Sequence, residues 1–157
     1  MDVNIWPAWE CLNTVCELSF ATRSRSPVHT GWGGTGRGVV RVEPVSATTM
    51  LFHESGTWTQ DSGRENRFNN AFRWAADPAG RFIRLEHLRL GADQPVYLFD
   101  LIPIGTGTLE SSAPHACRED LYAARMEIGT TAISLNWTVT GPKKDEYISY
   151  TYGRTNY

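Results

Sequence analysis

The stretch TMLFHESGTW, Thr49–Trp58, decides the fold class because its side chains alternate with a period of two residues. Met50, Phe52 and Trp58 fall on one face of an extended chain, together with the carboxyl group of Glu54. Polar residues occupy most of the opposite face. The stretch therefore predicts a β-strand rather than a helix.

The chain on either side repeats this pattern. The sequence DSG at Asp61–Gly63 is typical of a hairpin turn, and the next segment places Phe68, Phe72 and Trp74 on one face. Further short runs of strand-forming residues are separated by Gly, Pro, Asn and Asp. The other predicted strands are residues 13–22, 39–45, 81–90, 96–104, 121–128, 133–140 and 146–152.

Sequential hairpins with no helical period after residue 20 indicate an all-β protein. A meander of this length best removes its exposed edges by closing. We therefore predict a single antiparallel up-and-down β-barrel of about 8–10 strands, a size that can hold one small ligand.

The N-terminus is the exception to the strand pattern. Residues 2–12 predict a short helical turn, because the tryptophans and Leu12 recur at three-residue spacing and Pro7 suits the first turn. Asp2 or Asn4 is the expected N-cap. We expect a single domain in which residues 1–12 form a lid or plug on a barrel of residues 13–157.

Composition excludes several classes of protein. The net charge of −2 shows no basic excess, so we expect no nucleic-acid partner. No apolar run reaches the roughly eighteen residues of a membrane span, and the acidic N-terminus does not resemble a signal peptide. Three cysteines form no disulfide framework, so we expect a cytoplasmic protein. Six tryptophans fit either a bulky core or a pocket for a flat, apolar ligand.

The glycine-rich run GWGGTGRG, Gly31–Gly38, contains a formal G-x-G-x-x-G. We reject a dinucleotide site, because that motif must open a helix whereas the valine-rich segment Val39–Val45 predicts a strand. Glycines at the start of a strand instead allow sharp bending and close backbone approach.

Several charged residues fall on strand faces that otherwise look apolar. They are Glu54, Arg84, Glu86, Asp100 and Arg125. A buried unpaired charge costs several kcal/mol, so such groups must be neutralised, paired or turned toward a wet cavity. The alternative is that these faces point outward or that the register shifts at a bulge. Taken together, the cases favour a partly polar interior.

The segment PHACREDLY, Pro114–Tyr122, concentrates groups suited to proton transfer. In our hypothesis His115 or Asp100 moves a proton, carboxylates orient that group, and a cation or phenol holds the anionic oxygen. The alternative is a structural corner in which Asp120 caps backbone amides and Tyr122 fills the barrel. The candidate catalytic residues are His115, Asp100, Asp120, Tyr122, Glu54, Arg84 and Arg125. The candidate ligand-binding residues are Phe52, Trp58, Phe72, Trp74, Glu86, His87, Trp137 and Lys144.

No ligand spacing supports a metal site. His115 and Cys117 lie two residues apart, and no C-x-x-C or H-x-x-x-H pattern accompanies them. We therefore expect neither a metal nor another cofactor.

The last third of the chain resembles an uncharacterised family of small calycin-like (lipocalin-like) barrel proteins, known only as a domain of unknown function. The resemblance implies the same barrel fold and brings no activity or catalytic residues. Glu146 stands where that family has an aromatic residue. A weaker likeness is to haem-binding barrels that open with Gly-Trp-Gly, but those use a late histidine and this chain has none after His115. The matching positions are His115, Cys117, Asp120, Leu121, Tyr122, Trp137, Gly141, Pro142, Lys143, Lys144 and Asp145.

Three functions remain open from the sequence. We favour a cofactor-free enzyme that cyclises or isomerises a hydrophobic biosynthetic intermediate, because titratable groups are numerous on the strand faces. The second is a carrier or sensor of a lipid-like or aromatic molecule, with haem the less favoured ligand. The third is a structural module with a solid core. The expected partner is a hydrophobic or aromatic small molecule, and a homodimer is possible.

Overall fold

The computed structural model describes residues 3–25, 33–112, 120–142 and 144–155, together with the backbone of 115–117. These residues form one short helix and eleven antiparallel strands. The elements are α1 (Trp6–Leu12), β1 (Val15–Ser24), β2 (Gly34–Ser46), β3 (Thr49–Gln60), β4 (Glu65–Ala76), β5 (Ile83–His87), β6 (Val96–Gly105), β7 (Thr108–Ser111), β8 (His115–Cys117), β9 (Asp120–Ile128), β10 (Ala132–Thr140) and β11 (Asp145–Arg154).

The strands close into a barrel. Neighbouring strands follow the order β10-β11-β1-β2-β3-β4-β5-β6-β7-β9, and an additional pairing between β9 and β10 completes the ring. β7 and β8 pair with successive parts of β9, so they share one position in a ring of ten strands. The predicted all-β antiparallel barrel with a short N-terminal helix is confirmed. β7 and β8 were not predicted.

The period-two pattern of the sequence arises because alternate side chains of each strand face the barrel interior. Along β3 the buried residues are Met50, Phe52 and Glu54, and along β4 they are Phe72, Trp74 and Ala76. β3 and β4 pair without a break from Thr49↔Ala75 to Thr59↔Glu65. Because no bulge interrupts this hairpin, the apolar face read from the sequence is the face that lines the barrel interior.

The helix α1 closes one end of the barrel. Ala8, Trp9 and Leu12 are buried in the core, and the backbone N–H of Ile5 donates to the carbonyl of Gly80 at 3.2 Å. Gly80 has φ +76°, and a Cβ atom there would lie 2.9 Å from Nε1 of Trp6. Glycine is therefore required both by its backbone conformation and by the approach of the helix.

The helix is shorter than predicted, beginning at Trp6 rather than residue 2. Its N-cap by backbone geometry is Ile5, not Asn4, although Oδ1 of Asn4 accepts a hydrogen bond from the N–H of Trp6 at 3.0 Å. Asp2 lies outside the described residues. Among the described residues, no helix has the length and apolarity needed to cross a membrane.

The glycine-rich run enters a strand earlier than predicted. β2 begins at Gly34 rather than at Val39, so three glycines of the run lie within the strand. Gly36 faces the ring of Phe20, and a Cβ atom at that position would lie 2.3 Å from Cζ of Phe20. The glycine thus makes room for an aromatic side chain on the inner face of β1, where close approach is the physical requirement.

A β-bulge in β6 shifts by one residue which side chains of that strand face the barrel interior. Leu85 pairs with Phe99 and Glu86 pairs with Tyr97, which leaves Leu98 as the extra residue. Consequently Leu98 and Phe99 are both buried, although they are consecutive. An alternation counted from Leu98 assigns the wrong face to every residue after it.

Candidate functional site

A cavity of about 290 Å³ occupies the barrel at the end opposite α1. Its walls come from the last residues of β1, β3 and β5 and the first residues of β4 and β11, with β9 and β10 on one side. The aromatic residues of the wall are Phe20, Trp58, Phe68, Phe72, Tyr122, Trp137 and Tyr150. The polar or charged residues are Thr22, Asn70, His87, Arg89, Lys144 and Glu146.

The aromatic wall is held in place by contacts among its own rings. The ring centroids of Phe20 and Phe68 lie 5.3 Å apart in an edge-to-face arrangement, and those of Phe20 and Tyr150 lie 5.4 Å apart. Trp137 meets Tyr150 edge to face at 6.3 Å. Such pairs fix ring orientation, so the cavity has rigid, flat sides.

Two polar atoms in this wall are buried without a hydrogen-bond partner among the described residues. They are Nε1 of Trp137, whose side chain belongs to a residue 8% exposed, and Oε1 of Glu146, in a residue 5% exposed. One is a donor and the other a carboxyl oxygen that can accept, or donate when protonated. Most buried polar groups in proteins are paired, so these two atoms require an explanation.

The charge state of Glu146 is set by its surroundings. Burial raises the pKa of its carboxyl group, the positive charge of Lys144 opposes this shift, and the negative charge of Asp120 adds to it. The carboxyl group therefore holds its proton to a higher pH than an exposed glutamate does.

His87 lies on another wall of the cavity, stacked on Phe72 with ring centroids 4.6 Å apart. Burial lowers the pKa of its imidazole, and the positive charge of Arg89 lowers it further. His87 is consequently neutral at neutral pH, so one of its ring nitrogens can accept a proton.

An ion pair lies at the edge of the cavity. Nζ of Lys144 is 3.5 Å from Oδ2 of Asp120, and Lys144 lines the cavity beside Tyr122. This pair connects the start of β9 with the segment that leads into β11.

Glu54 is buried beside the cavity rather than in its wall. The residue is 2% exposed, and Oε2 accepts a hydrogen bond from the hydroxyl of Tyr152 at 2.8 Å. Oε1 has no partner in the described part of the chain. Burial raises the pKa of Glu54 to about 8, and the hydrogen bond from Tyr152 opposes that shift.

The structure brings some of the predicted site residues together. Tyr122 from the catalytic set lines the cavity. Phe52 and Trp74 belong instead to the fully buried core, and neither lines the cavity. The predicted ligand-binding residues that line the cavity are Trp58, Phe72, His87, Trp137 and Lys144.

Other predicted residues need correction, because the structure places them on the outer face. Arg84 pairs with Asp100, its Nε lying 2.9 Å from Oδ1, on the face opposite the buried Ile83 and Leu85. The bulge at Leu98 is the reason that Asp100 had been assigned to an inner face.

Glu86 and Arg125 also face outward. Nε of Arg73 donates to Oε1 of Glu86 at 2.8 Å on the outer side of β4 and β5. Arg125 pairs with both Glu110 and Glu127, and the residues on either side of it, Ala124 and Met126, are the buried ones. These charges are thus paired at the surface, and the interior holds fewer charged groups than the sequence indicated.

Part of the predicted site lies outside the described residues. The backbone of His115 pairs with Tyr122, but the side chains of His115 and Cys117 are not described. Glu119, Lys143 and the tryptophan of the Gly-Trp-Gly segment are also outside the described residues. Among the residues that the structure describes, no group of three or more His, Cys, Asp or Glu side chains is arranged to hold a metal ion.

Sequence reasoning missed four polar residues of the cavity wall, which are Thr22, Asn70, Arg89 and Glu146. Glu146 could have been found, since it shares the parity of the buried residues Ile148, Tyr150 and Tyr152 along β11. Asn70 likewise shares the parity of Phe72 on β4. Arg89 lies beyond the end of β5, where no strand pattern places it.

The fold and the cavity define an antiparallel ten-stranded barrel with an interior cavity, largely aromatic in its wall, at one end. The sequence matches the model of a family of unknown function, DUF6314, over residues 20–154, and the chain belongs to that family. The predicted membership in an uncharacterised family is thereby confirmed. No curated protein matches the sequence. A similar solved structure, EF1p2_mFAP2b bound to DFHBI, has a TM-score of 0.47 and 11% sequence identity, with 94% of this chain and 97% of that chain covered.

Proposed function

We propose that the barrel binds a small, flat, mostly apolar molecule in its cavity. The observation that carries this proposal is the cavity of about 290 Å³ itself, whose wall is largely aromatic and is held by contacts between its rings. A mostly apolar cavity with a few polar groups in its wall is typical of a small-molecule site. Here the polar groups include Asn70, His87 and Lys144.

The volume supports a ligand of modest size. A cavity of about 290 Å³ lies just below the usual range for small-molecule sites, which begins at roughly 300 Å³, so the ligand must be small. Rigid aromatic sides favour one or two fused rings over a flexible chain, because flat faces stack on such rings.

Titration with a neutral dye, N-phenylnaphthylamine, tests this proposal. Wild-type protein should bind one equivalent with increased fluorescence, and native mass spectrometry of freshly purified protein should reveal any natural occupant. Trp137→Phe and Glu146→Gln should each change the affinity for the natural occupant by several-fold. The matched control is Glu10→Gln, at an exposed position of α1. Absence of any binding to the wild-type barrel would refute the proposal.

A second candidate function is proton transfer on the bound molecule, as in cyclisation or isomerisation without a cofactor. It is favoured by the two titratable groups in the cavity wall, whose pKa values burial shifts in opposite directions, down for His87 and up for Glu146. His87 would act as the base that removes a proton, and Glu146, whose pKa burial raises, would act as the acid that returns one at another atom of the substrate. Lys144 or Tyr122 would hold the anionic oxygen that forms in between.

Exchange of hydrogen for deuterium in the co-purified molecule separates this enzyme from a carrier. In heavy water the wild-type protein should introduce deuterium at carbon, and His87→Gln, which lacks the base, should bind the molecule but exchange it far more slowly. Binding without exchange in the wild type would identify a carrier instead.

A further inference from the structure

A second depression lies on the outer side of β2, β3 and β4, beside the cavity. We call it the outer cleft; it has a volume of about 660 Å³. Three residues, Asn70, His87 and Arg89, line both the cavity and the outer cleft. The two spaces therefore adjoin at these side chains. The lining of the outer cleft also includes Arg41, His53 and Glu54.

The two spaces adjoin here because the strand pairing ends. β4 and β5 pair from Ala76↔Ile83 to Phe72↔His87, and the N–H of Leu88 then donates to the carbonyl of Ala71 at 2.8 Å. Within the described residues, no β5 residue pairs with positions 65–70 of β4. The barrel wall is thus open between the first half of β4 and the segment after β5.

The charges around the outer cleft are mainly positive. Two arginines, Arg41 and Arg89, line it, and the acidic residue of its lining is Glu54, whose carboxyl group lies in the barrel interior. The carboxyl group of Glu54 accepts a hydrogen bond from Tyr152. Because its pKa of about 8 keeps this group protonated at neutral pH, it does not neutralise the arginines. Glu43, at the rim, accepts from His53 at 2.9 Å and lies 3.7 Å from Arg41.

Arg89 is the cation best placed to act on a ligand in the cavity. It lines both spaces, and it makes no ion pair with any described residue. The other cation of the cavity, Lys144, is already opposite Asp120. A guanidinium group can hold a carboxylate or phosphate through two parallel hydrogen bonds.

Building on the proposed function, we propose that the ligand is an amphiphilic anion. Its apolar ring occupies the cavity, and its acidic group passes through the open wall into the outer cleft, where Arg89 binds it and Arg41 adds positive potential. The inference rests on the proposed function, since it names the class of molecule that the same cavity holds.

Two dyes with the same aromatic body test this inference. Anilinonaphthalene sulfonate carries an acidic group that neutral N-phenylnaphthylamine lacks. At low ionic strength the wild type should bind the sulfonate about tenfold more tightly than the neutral dye, and added salt should reduce the difference. Arg89→Gln should weaken binding of the sulfonate by about tenfold and so remove the preference. The matched control is Arg37→Gln, an exposed outward arginine of β2 that lines neither space.

Each outcome of this experiment decides something. Equal binding of both dyes, unaffected by Arg89→Gln, would overturn the inference and leave small-molecule binding intact. Failure of both dyes to bind would refute the proposed function and the inference with it. Competition with naphthoate, naphthyl phosphate and naphthalenemethanol then separates the acids. Displacement by one acid but not by the alcohol supports the inference and identifies the head group, and equal displacement by the alcohol counts against it.

Discussion

The hydroxyl of Tyr152 donates a hydrogen bond to Oε2 of Glu54 across the interior of the barrel, at 2.8 Å. These residues lie on β11 and β3, which β1 and β2 separate in the sheet. Tyr152 also stacks on Tyr150 of the cavity wall, with ring centroids 5.4 Å apart. The buried carboxyl group is thus connected to the cavity through two tyrosines.

Glu54 should make stability depend on pH. Its pKa is about 8 in the folded protein and 4.5 in an ordinary environment, so between these values the folded state holds a proton that the unfolded state has lost. The contribution of Glu54 to the free energy of unfolding is therefore fully present below about pH 4.5. As the pH rises from there to about 8, this contribution falls by up to about 1.4 kcal/mol per pH unit.

Urea denaturation at a series of pH values checks this prediction. Glu54→Gln should reduce the decrease, so that the free energy of unfolding of the variant rises relative to that of the wild type as the pH increases from 5 to 8. The control is Glu65→Gln, at an exposed position of β4, which should keep the wild-type slope. An identical slope in the wild type and Glu54→Gln would contradict the assignment of a raised pKa to Glu54.

Gly36 should be sensitive to any side chain. In Gly36→Val a Cβ atom would overlap the ring of Phe20, which must then move into the cavity. We expect a loss of about 1–3 kcal/mol in the free energy of unfolding, by overpacking, and weaker dye binding. Thr35→Val, at the exposed neighbouring position of β2, should affect neither quantity. Normal stability and dye affinity in Gly36→Val would show that the contact is absent in solution.

Asp100 should be dispensable for ligand binding. Its carboxylate pairs with Arg84 on the outer face, so Asp100→Asn should cost roughly 1 kcal/mol of stability or less. Dye affinity should not change, because neither residue lines the cavity. Urea denaturation of the variant checks the stability, and titration with the dye checks the affinity. A large loss of dye affinity in Asp100→Asn would show that Asp100 contributes to the ligand site and would contradict this prediction.

The sequence predicted the barrel well where pairing is long and regular. β3 and β4 pair over eleven successive positions, so alternation identified the inner residues Phe52, Glu54 and Phe72. It failed in β6, since nothing in the local pattern marks Leu98 as a bulge. β7 was missed because it has four residues and its place depends on pairing with β6 and β9, which the local sequence does not encode.

The candidate site was predicted in part for the same reason. Side chains in regular strands, such as Trp58 and Trp137, could be assigned to an inner face. Arg89 could not, because it follows the end of β5 and its position depends on where that strand leaves the barrel wall. The polarity of the interior was overestimated, since Arg84 and Arg125 find partners on the outer face.

The most direct test of small-molecule binding is to fill the cavity from within. Val139 is buried on β10 and lines the cavity, whereas Thr138 beside it faces outward. The measurement is titration with N-phenylnaphthylamine of the wild type, Val139→Trp and Thr138→Trp, each shown by circular dichroism to be folded. We predict that the wild type and Thr138→Trp bind one equivalent of dye and that Val139→Trp binds none. Equal binding by a folded Val139→Trp variant, or no binding by the wild type, would contradict the account.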